Sequence, residues 1–300
     1  MLLLLACVDP AVTPVTLGDL RPVSPRVAAR GGWVAAGSSD LQLFGHDPDS
    51  DLGPLALLAT EDGFALLDQE NTRVLRYDAQ GSLLGATPLP SRTTLDLAVD
   101  GGGWAALAYA PTSTTWSVQR LDASGALLAT APAAVDAPSG VFVSGDTVLV
   151  EQAHDRTLDV ATGAWQPGRP AGNGWVHAEK EAGDRLLVRW YEGDTLARTT
   201  VVTPDRTLGN VISLDWRDGY TLLTLFLFEE GPAPDFELFD PELRVVLLDK
   251  TGAKVDELSL PPGTETITTR ELALGPNGTL MRLRTDADGV ALETVDLEGM

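Results

Sequence analysis

Residues Pro54–Pro90 read PLALLATEDGFALLDQENTRVLRYDAQGSLLGATPLP, and this stretch decides the fold. Leu55–Thr60 is an apolar run that Glu61-Asp-Gly63 turns back into a second, Phe64–Leu67. A polar loop, Asp68–Thr72, follows; Arg73–Tyr77 then alternates apolar and polar, and Asp78-Ala-Gln-Gly81 turns into Ser82–Thr87. Four short strands joined by tight turns make one antiparallel unit, because Gly supplies positive φ and Asp bonds back onto its own backbone. The last turn recurs as Asp122-Ala-Ser-Gly125, Asp249-Lys-Thr-Gly252 and Asp296-Leu-Glu-Gly299, and with one extra residue as Asp159–Gly163. The Asp positions are 44, 37, 90 and 47 residues apart, the 90 covering two periods with a degenerate copy near Thr203-Pro-Asp-Arg206. Such a period in a strand-rich chain means a radial β-repeat.

The plan extends over units at about 94–132, 136–166, 173–209, 210–262 and 264–300, with inner turns at Gly101-Gly-Gly103, Gly145-Asp146, Gly183-Asp184, Asp218-Gly219 and Asn277-Gly278. Tyr220–Phe228 carries no charge over nine residues, as a strand covered on both faces requires. The final unit stops at Asp296–Gly299 without a fourth strand, while Val27–Ala29, Trp33–Ala36 and Leu41–Phe44 are spare. An open radial array would leave exposed edges, so the N-terminal strands are expected to complete the last unit. The sequence therefore predicts an all-β, six-bladed β-propeller closed by N-terminal strand material. Seven blades are the alternative, because Arg30-Gly-Gly-Trp-Val-Ala-Ala36 looks like Gly101-Gly-Gly-Trp-Ala-Ala-Leu107.

Leu58-Ala-Thr-Glu-Asp-Gly63, Leu67-Asp-Gln-Glu-Asn-Thr-Arg73 and Tyr77-Asp-Ala-Gln-Gly81 together resemble an NHL-type propeller repeat. The match is good in the first unit and partial in the second, and later units keep the turns but lose Asn-x-Arg. The resemblance implies the fold; its members bind proteins or peptides or act as enzymes, so function does not follow from it. Asp68 and Asn71 are expected to cap their loop and Arg73 to pair with carboxylates across it.

With 43 acidic and 21 basic residues the chain has a net charge of −22, which repels phosphate backbones and anionic headgroups. Nucleic-acid binding is disfavoured, and cationic or calcium-bearing partners are favoured. Cys7 is the sole cysteine, so neither an intrachain disulfide nor a multi-cysteine metal site can form. Leu4-Leu5-Ala6-Cys7 resembles the lipobox of bacterial lipoproteins, which implies acylation of Cys7, removal of what precedes it and attachment to the envelope only through a lipid anchor. Val8 after the Cys leans toward the outer membrane. No run reaches 18 apolar residues. The domain reading is residues 1–7 as a lipoprotein signal remnant, 8–24 as an extended tether and 25–300 as the propeller.

Strand direction alternates in a blade, so the loops between second and third strands share a face with the links between blades. The long loops, Gly45–Pro54, Ala108–Trp116, Ala131–Gly140, Pro167–Gly174 and Glu229–Glu242, are all predicted on that face, where binding usually sits. Its acids are Asp47, Asp49, Asp51, Asp68, Glu70, Asp155, Glu192, Asp194, Glu229, Glu230, Asp235 and Glu237. The insertion at 229–242 sets Phe236, Leu238 and Phe239 among acids, and together with Glu229 and Glu230 it reads as a partner-binding arm. Asp47-Pro-Asp-Ser-Asp51 resembles the start of a calcium loop, but lacks the sixth-position Gly and the twelfth-position Glu; an Asp-rich turn is the plainer reading. His46, His154 and His177 are scattered without metal-ligand spacing. No nucleophile elbow or phosphate loop occurs.

The expectation is a non-catalytic envelope lipoprotein propeller holding a protein or peptide, its partner cationic, on an acidic loop-rich face. One alternative is a calcium-dependent lactonase-like or lyase-like enzyme with carboxylates in the channel, for which only Asp96 and Asp215 stand out on otherwise apolar inner strands. The other is a glycan binder using Trp116 and Trp175.

Overall fold

The computed structural model describes residues 10–47, 49, 52–231, 238–266, 268–275 and 278–300. Strands β1 (Ala11–Thr16), β2 (Arg26–Val34) and β3 (Leu43–Gly45) come first. Blade I is β4 (Pro54–Ala59), β5 (Gly63–Asp68), β6 (Arg73–Asp78) and β7 (Leu83–Pro88). Blade II is β8 (Thr94–Asp100), β9 (Gly103–Ala110), β10 (Thr115–Leu121) and β11 (Leu127–Ala133). Blade III is β12 (Pro138–Ser144), β13 (Thr147–Gln152), β14 (Arg156–Asp159) and β15 (Trp165–Gln166). Blade IV is β16 (Arg169–Ala171), β17 (Gly174–Ala182), β18 (Arg185–Glu192) and β19 (Thr195–Thr203). Blade V is β20 (Thr207–Arg217), β21 (Tyr220–Glu230), β22 (Leu238–Leu248) and β23 (Lys254–Leu260). Blade VI starts with β24 (Leu272–Leu274), β25 (Thr279–Asp286) and β26 (Gly289–Asp296).

These six sheets form a six-bladed propeller. The innermost strands β4, β8, β12, β16, β20 and β24 pack in that order and β24 returns to β4. Closure is as expected: β2 pairs antiparallel with β26 as the fourth strand of blade VI, from Arg26 opposite Thr294 to Gly31 opposite Val290. The Arg30–Ala36 stretch is thus the closing strand and not a seventh blade. Within the stretch that reads as an extended tether, Ala11–Thr16 adds to blade IV as a fifth strand, parallel to β19.

Blade IV also corrects the register of the reading. Its inner strand is the short β16, so Gly183-Asp184 joins second and third strands, and the counterpart of Asp-x-x-Gly is Glu192-Gly-Asp-Thr195 rather than Thr203–Arg206. Three residues of strand between Gly168 and Gly172 leave too weak an apolar run to register as a strand.

The core lies between blades. Phe64, Leu66 and Leu75 of blade I meet Met281, Leu283 and Leu292 of blade VI. In β21, Leu223, Leu225 and Leu227 pack toward blade IV while Leu222 packs toward blade VI, which explains the missing polar alternation. The Asp-x-x-Gly turns cap themselves: Asp122 Oδ1 accepts from the Ser124 and Ala126 amides at 2.8 and 3.0 Å, and Asp249 Oδ1 does the same for Thr251 and Ala253. Their glycines have a second reason. A methyl on Gly125 would run into the Pro88 carbonyl of blade I, and one on Gly81 into Ala28 of the closing strand, so the repeat's glycine marks where the preceding blade approaches.

Asp68, Asn71 and Arg73 of blade I lock the ring. Asp68 accepts from the Gly45 amide at 3.1 Å and from Asn71 Nδ2 and Arg73 Nε at 2.8 Å each. Arg73 also donates to the carbonyls of Ser38, Asp40 and Leu43, and Asn71 Oδ1 accepts from the Gly37 and Ser38 amides. The motif therefore ties the segment between β2 and β3 to blade I.

Candidate functional site

The acids predicted for the connection face, which carries the interblade links, neither all lie there nor all stay exposed. Asp68 is buried in the closure lock, and Glu70 is buried against Arg92. Glu192 and Asp194 lie on the opposite, hairpin face because of the register of blade IV. Asp49, Asp155, Glu229 and Glu230 remain exposed. Asp51, Asp235, Phe236 and Glu237 fall outside the described residues, as does Cys7.

The 229–242 insertion differs from its reading as a loop. It extends a hairpin: Glu229 pairs with Phe239 and Glu230 with Leu238, so β21 and β22 reach 11 residues each. Phe239 is 46% exposed, beside the exposed Glu229, Glu230 and Asp240. Arg206 braces the arm, donating to Glu242 Oε2 at 2.9 Å and to the Asp240 carbonyl at 2.8 Å. Below it, buried Arg244 bonds Glu242 and Asp205 and reaches Glu257 at 2.5 Å. Burial opposes ionisation of Glu242, yet hydrogen bonds from Arg244 and Arg206 hold its carboxyl down at about 2. At the foot of the arm an open hollow of about 530 Å³ is lined by Asp184, Asp205, Arg206, Thr207 and Glu230.

Asp47 and Asp49 sit in a tight turn. Asp47 pairs its backbone with Leu52 and its Oδ1 accepts from the Asp49 amide at 3.1 Å, an Asx turn. Among the described residues no three His, Cys, Asp or Glu side chains cluster to hold a metal. The histidines are dispersed: His46 stacks on Trp33, His154 touches Glu151, and His177 is buried beside Arg189.

The channel holds charges that the sequence half reveals. Asp96 of β8 accepts from Arg270 at 2.6 Å and from the Val141 amide at 2.9 Å, leaving Oδ1 unpartnered. Arg169 of β16 grips Glu151 and lies 3.7 Å from Asp215 of β20. The guanidiniums of Arg169 and Arg270 both lie over the Phe142 ring, 4.7 and 5.3 Å from its centroid. Burial pushes the carboxyls of Asp96 and Asp215 above the usual range, whereas Arg169 and His154 overcome burial to hold Glu151 well below it. Arg270, Phe142 and Asp215 line a funnel of about 440 Å³ that opens at the hairpin face between Ala59, Val99, Ser144 and Arg217.

Beside the funnel lies a second hollow of about 520 Å³ between blades IV and V, sharing Gly172 and Trp216 with it. Trp175, Trp190, Tyr191 and Trp216 wall it, with Arg198 and Lys250 among the linings. The Arg198 guanidinium stacks 4.1 Å from the Trp190 ring centroid, and its Nε has no partner. Trp116 is elsewhere, packed on Tyr109 in blade II, so the structure does not bring it to Trp175. Sequence reading gave no site role to Arg169, Arg198, Trp216 or Arg270: three lie on inner strands or links and Arg198 on the fourth strand of the misregistered blade IV, and a lone charge or ring in such places carries no periodic signal.

No family model and no curated protein matches this chain. Solved structures do. A member of the DUF4221 family from Bacteroides vulgatus is 10% identical over 93% of this chain and 99% of its own, with a TM-score of 0.48. Streptogramin B lyase is 12% identical over 84% and 95%, with a TM-score of 0.45. The WD40 β-propeller domain of Doa1 is 13% identical over 83% and 94%, with a TM-score of 0.41. At these values the likenesses concern the fold, and the six-bladed assignment stands on the sheets themselves.

Proposed function

We propose that this protein is a non-catalytic binding propeller of a bacterial cell envelope that docks a cationic segment of a protein or peptide on its connection face. The observation that carries the reading is the β21–β22 arm, with a half-exposed Phe239 set among carboxylates above an acidic hollow. An aromatic anchor ringed by acids suits a basic segment carrying an apolar side chain. The channel carboxylates that an enzyme would use each lie against an arginine, Asp96 at 2.6 Å from Arg270 and Asp215 at 3.7 Å from Arg169, which favours binding over catalysis.

The envelope assignment rests on the lipobox-like Leu4–Cys7. Four residue steps separate Cys7 from Ala11, a reach of at most about 14 Å. Ala11 pairs with Arg198 near the hairpin-face end of β19, so an acylated Cys7 would turn the hairpin face toward the bilayer and the arm away from it. A mass spectrum of the mature N-terminus tests the anchor, since an unmodified Met1 or a free Cys7 thiol removes it.

The docking reading is tested by capture from envelope extract at low and high salt. The protein is compared with Phe239→Ser and with a variant lacking residues 232–237. A stoichiometric partner retained at low salt and lost from both variants is the expected result. Identical capture by all three proteins refutes the arm as the docking site.

A further inference from the structure

We propose that the hollow between blades IV and V on the hairpin face binds a carboxylate-bearing saccharide, a second site independent of the connection-face arm. Its lining inverts the charge of the molecule. The chain carries 43 acids against 21 bases, yet this hollow and the adjoining funnel together present Arg198, Lys250, Arg217 and Arg270 against Glu192 and Asp215. Arg270 is committed to Asp96, and Asp215 to Arg169. Arg198 and Lys250 make no ion pair among the described residues; Asp249 and Glu192 act on Arg198 only from beyond ion-pair distance, which leaves both cations able to meet an anion.

Arg198 is also preorganised. Its guanidinium lies on the Trp190 ring, and Trp190 is fixed by donating from Nε1 to Thr221 Oγ1 at 3.1 Å. An arginine held by stacking loses little freedom when a carboxylate binds it. Four of the chain's eleven Trp and Tyr residues converge here, Trp175, Trp190, Tyr191 and Trp216. Trp175, Tyr191 and Trp216 are only partly buried. Indole and phenol walls suit the C–H faces of a pyranose, while Asn173 and Glu192 on the rim offer hydrogen bonds to hydroxyls. The hollow's volume lies within the range of small-ligand sites. Gly172, at φ 61°, shapes the wall, because a methyl there would meet the Trp216 ring at 3.3 Å.

Digalacturonic acid and its methyl ester are the probes, the same rings with and without charge. Binding is read by tryptophan fluorescence and calorimetry on the intact protein. The acid is expected to bind saturably and the ester about tenfold or more weaker, the loss of one charge-assisted contact. Lys250→Met, at an exposed position, and Arg198→Met, which keeps the apolar stem on Trp190, should each bring the acid toward the ester's affinity. Phe239→Ser should leave it unchanged, which separates this site from the arm. Absence of saturable acid binding up to about 10 mM, equal affinity for acid and ester, or indifference to both cation variants overturns the proposal.

Discussion

Replacing Arg73 with Met should unlock the ring without touching its hydrophobic interfaces. The guanidinium makes four hydrogen bonds: Asp68 at 2.8 Å, and the carbonyls of Ser38, Asp40 and Leu43 at 3.2, 2.9 and 2.6 Å. Methionine fills the volume of the stem and makes none of them. Asp68, fully buried, would keep Asn71 and the Gly45 amide but lose its only cation. Removing one partner of a buried pair costs about 3–5 kcal/mol, a large share of the roughly 5–15 kcal/mol that holds a domain folded. For a chain of 300 residues, an unfolding entropy of about 0.6 kcal/mol/K turns that into a drop of roughly 5–8 °C in Tm. Denaturant titration measures the energy, and hydrogen exchange over residues 36–45 locates it, since those amides should lose protection before the inner strands do. Arg76→Met, two residues along β6 from Val74 and exposed, is the matched control and should stay within about 0.5 kcal/mol. Adding Asp68→Asn to Arg73→Met should recover part of the loss, because the stranded charge disappears. A cost under about 1 kcal/mol, or unchanged protection at 36–45, would refute the lock.

Other expectations follow from the same geometry. Arg270→Met strands the buried Asp96 carboxylate and should cost about 3–5 kcal/mol in denaturant titration. Gly125→Ala should cost at least about 2 kcal/mol more than Gly145→Ala: both have positive φ, but only the first meets a neighbouring blade. Hydrogen bonds to Asp78 from Ser82 and to Asp122 from Ser124 lower both carboxyls in the folded state, so their stabilisation is present above about pH 4 and is lost as pH falls through the folded values. The Asp78→Asn, Asp122→Asn double variant keeps an acceptor at each turn and should show a shallower fall of Tm on acidification. Asp96 and Asp215, raised by burial, act with the opposite sign: their contribution is complete below about pH 4 and declines as pH rises through their folded values. Phe239→Ser should change Tm little, because the ring is half exposed, while reducing partner capture.

The blades were legible in the sequence because each turn advertises itself. Asp-x-x-Gly reports a turn that caps itself and a glycine that a neighbour crowds, two local demands written into residues three apart. Closure was legible by subtraction, since a unit without a fourth strand and three unassigned strands near the N-terminus can satisfy each other. Blade IV was misregistered for the converse reason: a three-residue inner strand carries no alternation, and Gly193 and Gly172 mark turns without an Asp-x-x-Gly frame. Asp96 and Asp215 stood out as carboxylates on apolar strands, but their arginines did not. Arg270 reaches past blade I to Asp96, a contact 174 residues away in the chain. No spacing rule encodes a partner that is set by the width of a channel.

The arginines explain how a chain this acidic closes into a ring and why its two faces differ. Arg73, Arg169, Arg244 and Arg282 are buried, and each lies against at least one carboxylate. Arg206 and Arg270 bind carboxylates of other strands as well. A planar, permanently charged fork can satisfy several acceptors at once inside a protein, which lysine's point charge does less well. The chain has eighteen arginines to three lysines, and the arginines deepest in the fold are spent on joining strands. Buried carboxylates outnumber these buried arginines, yet with 43 acids against 21 bases the exposed surface still keeps a surplus of negative charge. That surplus suits the arm on the connection face to a basic partner. It also makes Arg198 and Lys250 conspicuous: against a negative background, two cations without an ion pair among the described residues lie beside aromatic walls, where together they outweigh the Glu192 carboxylate of the same lining.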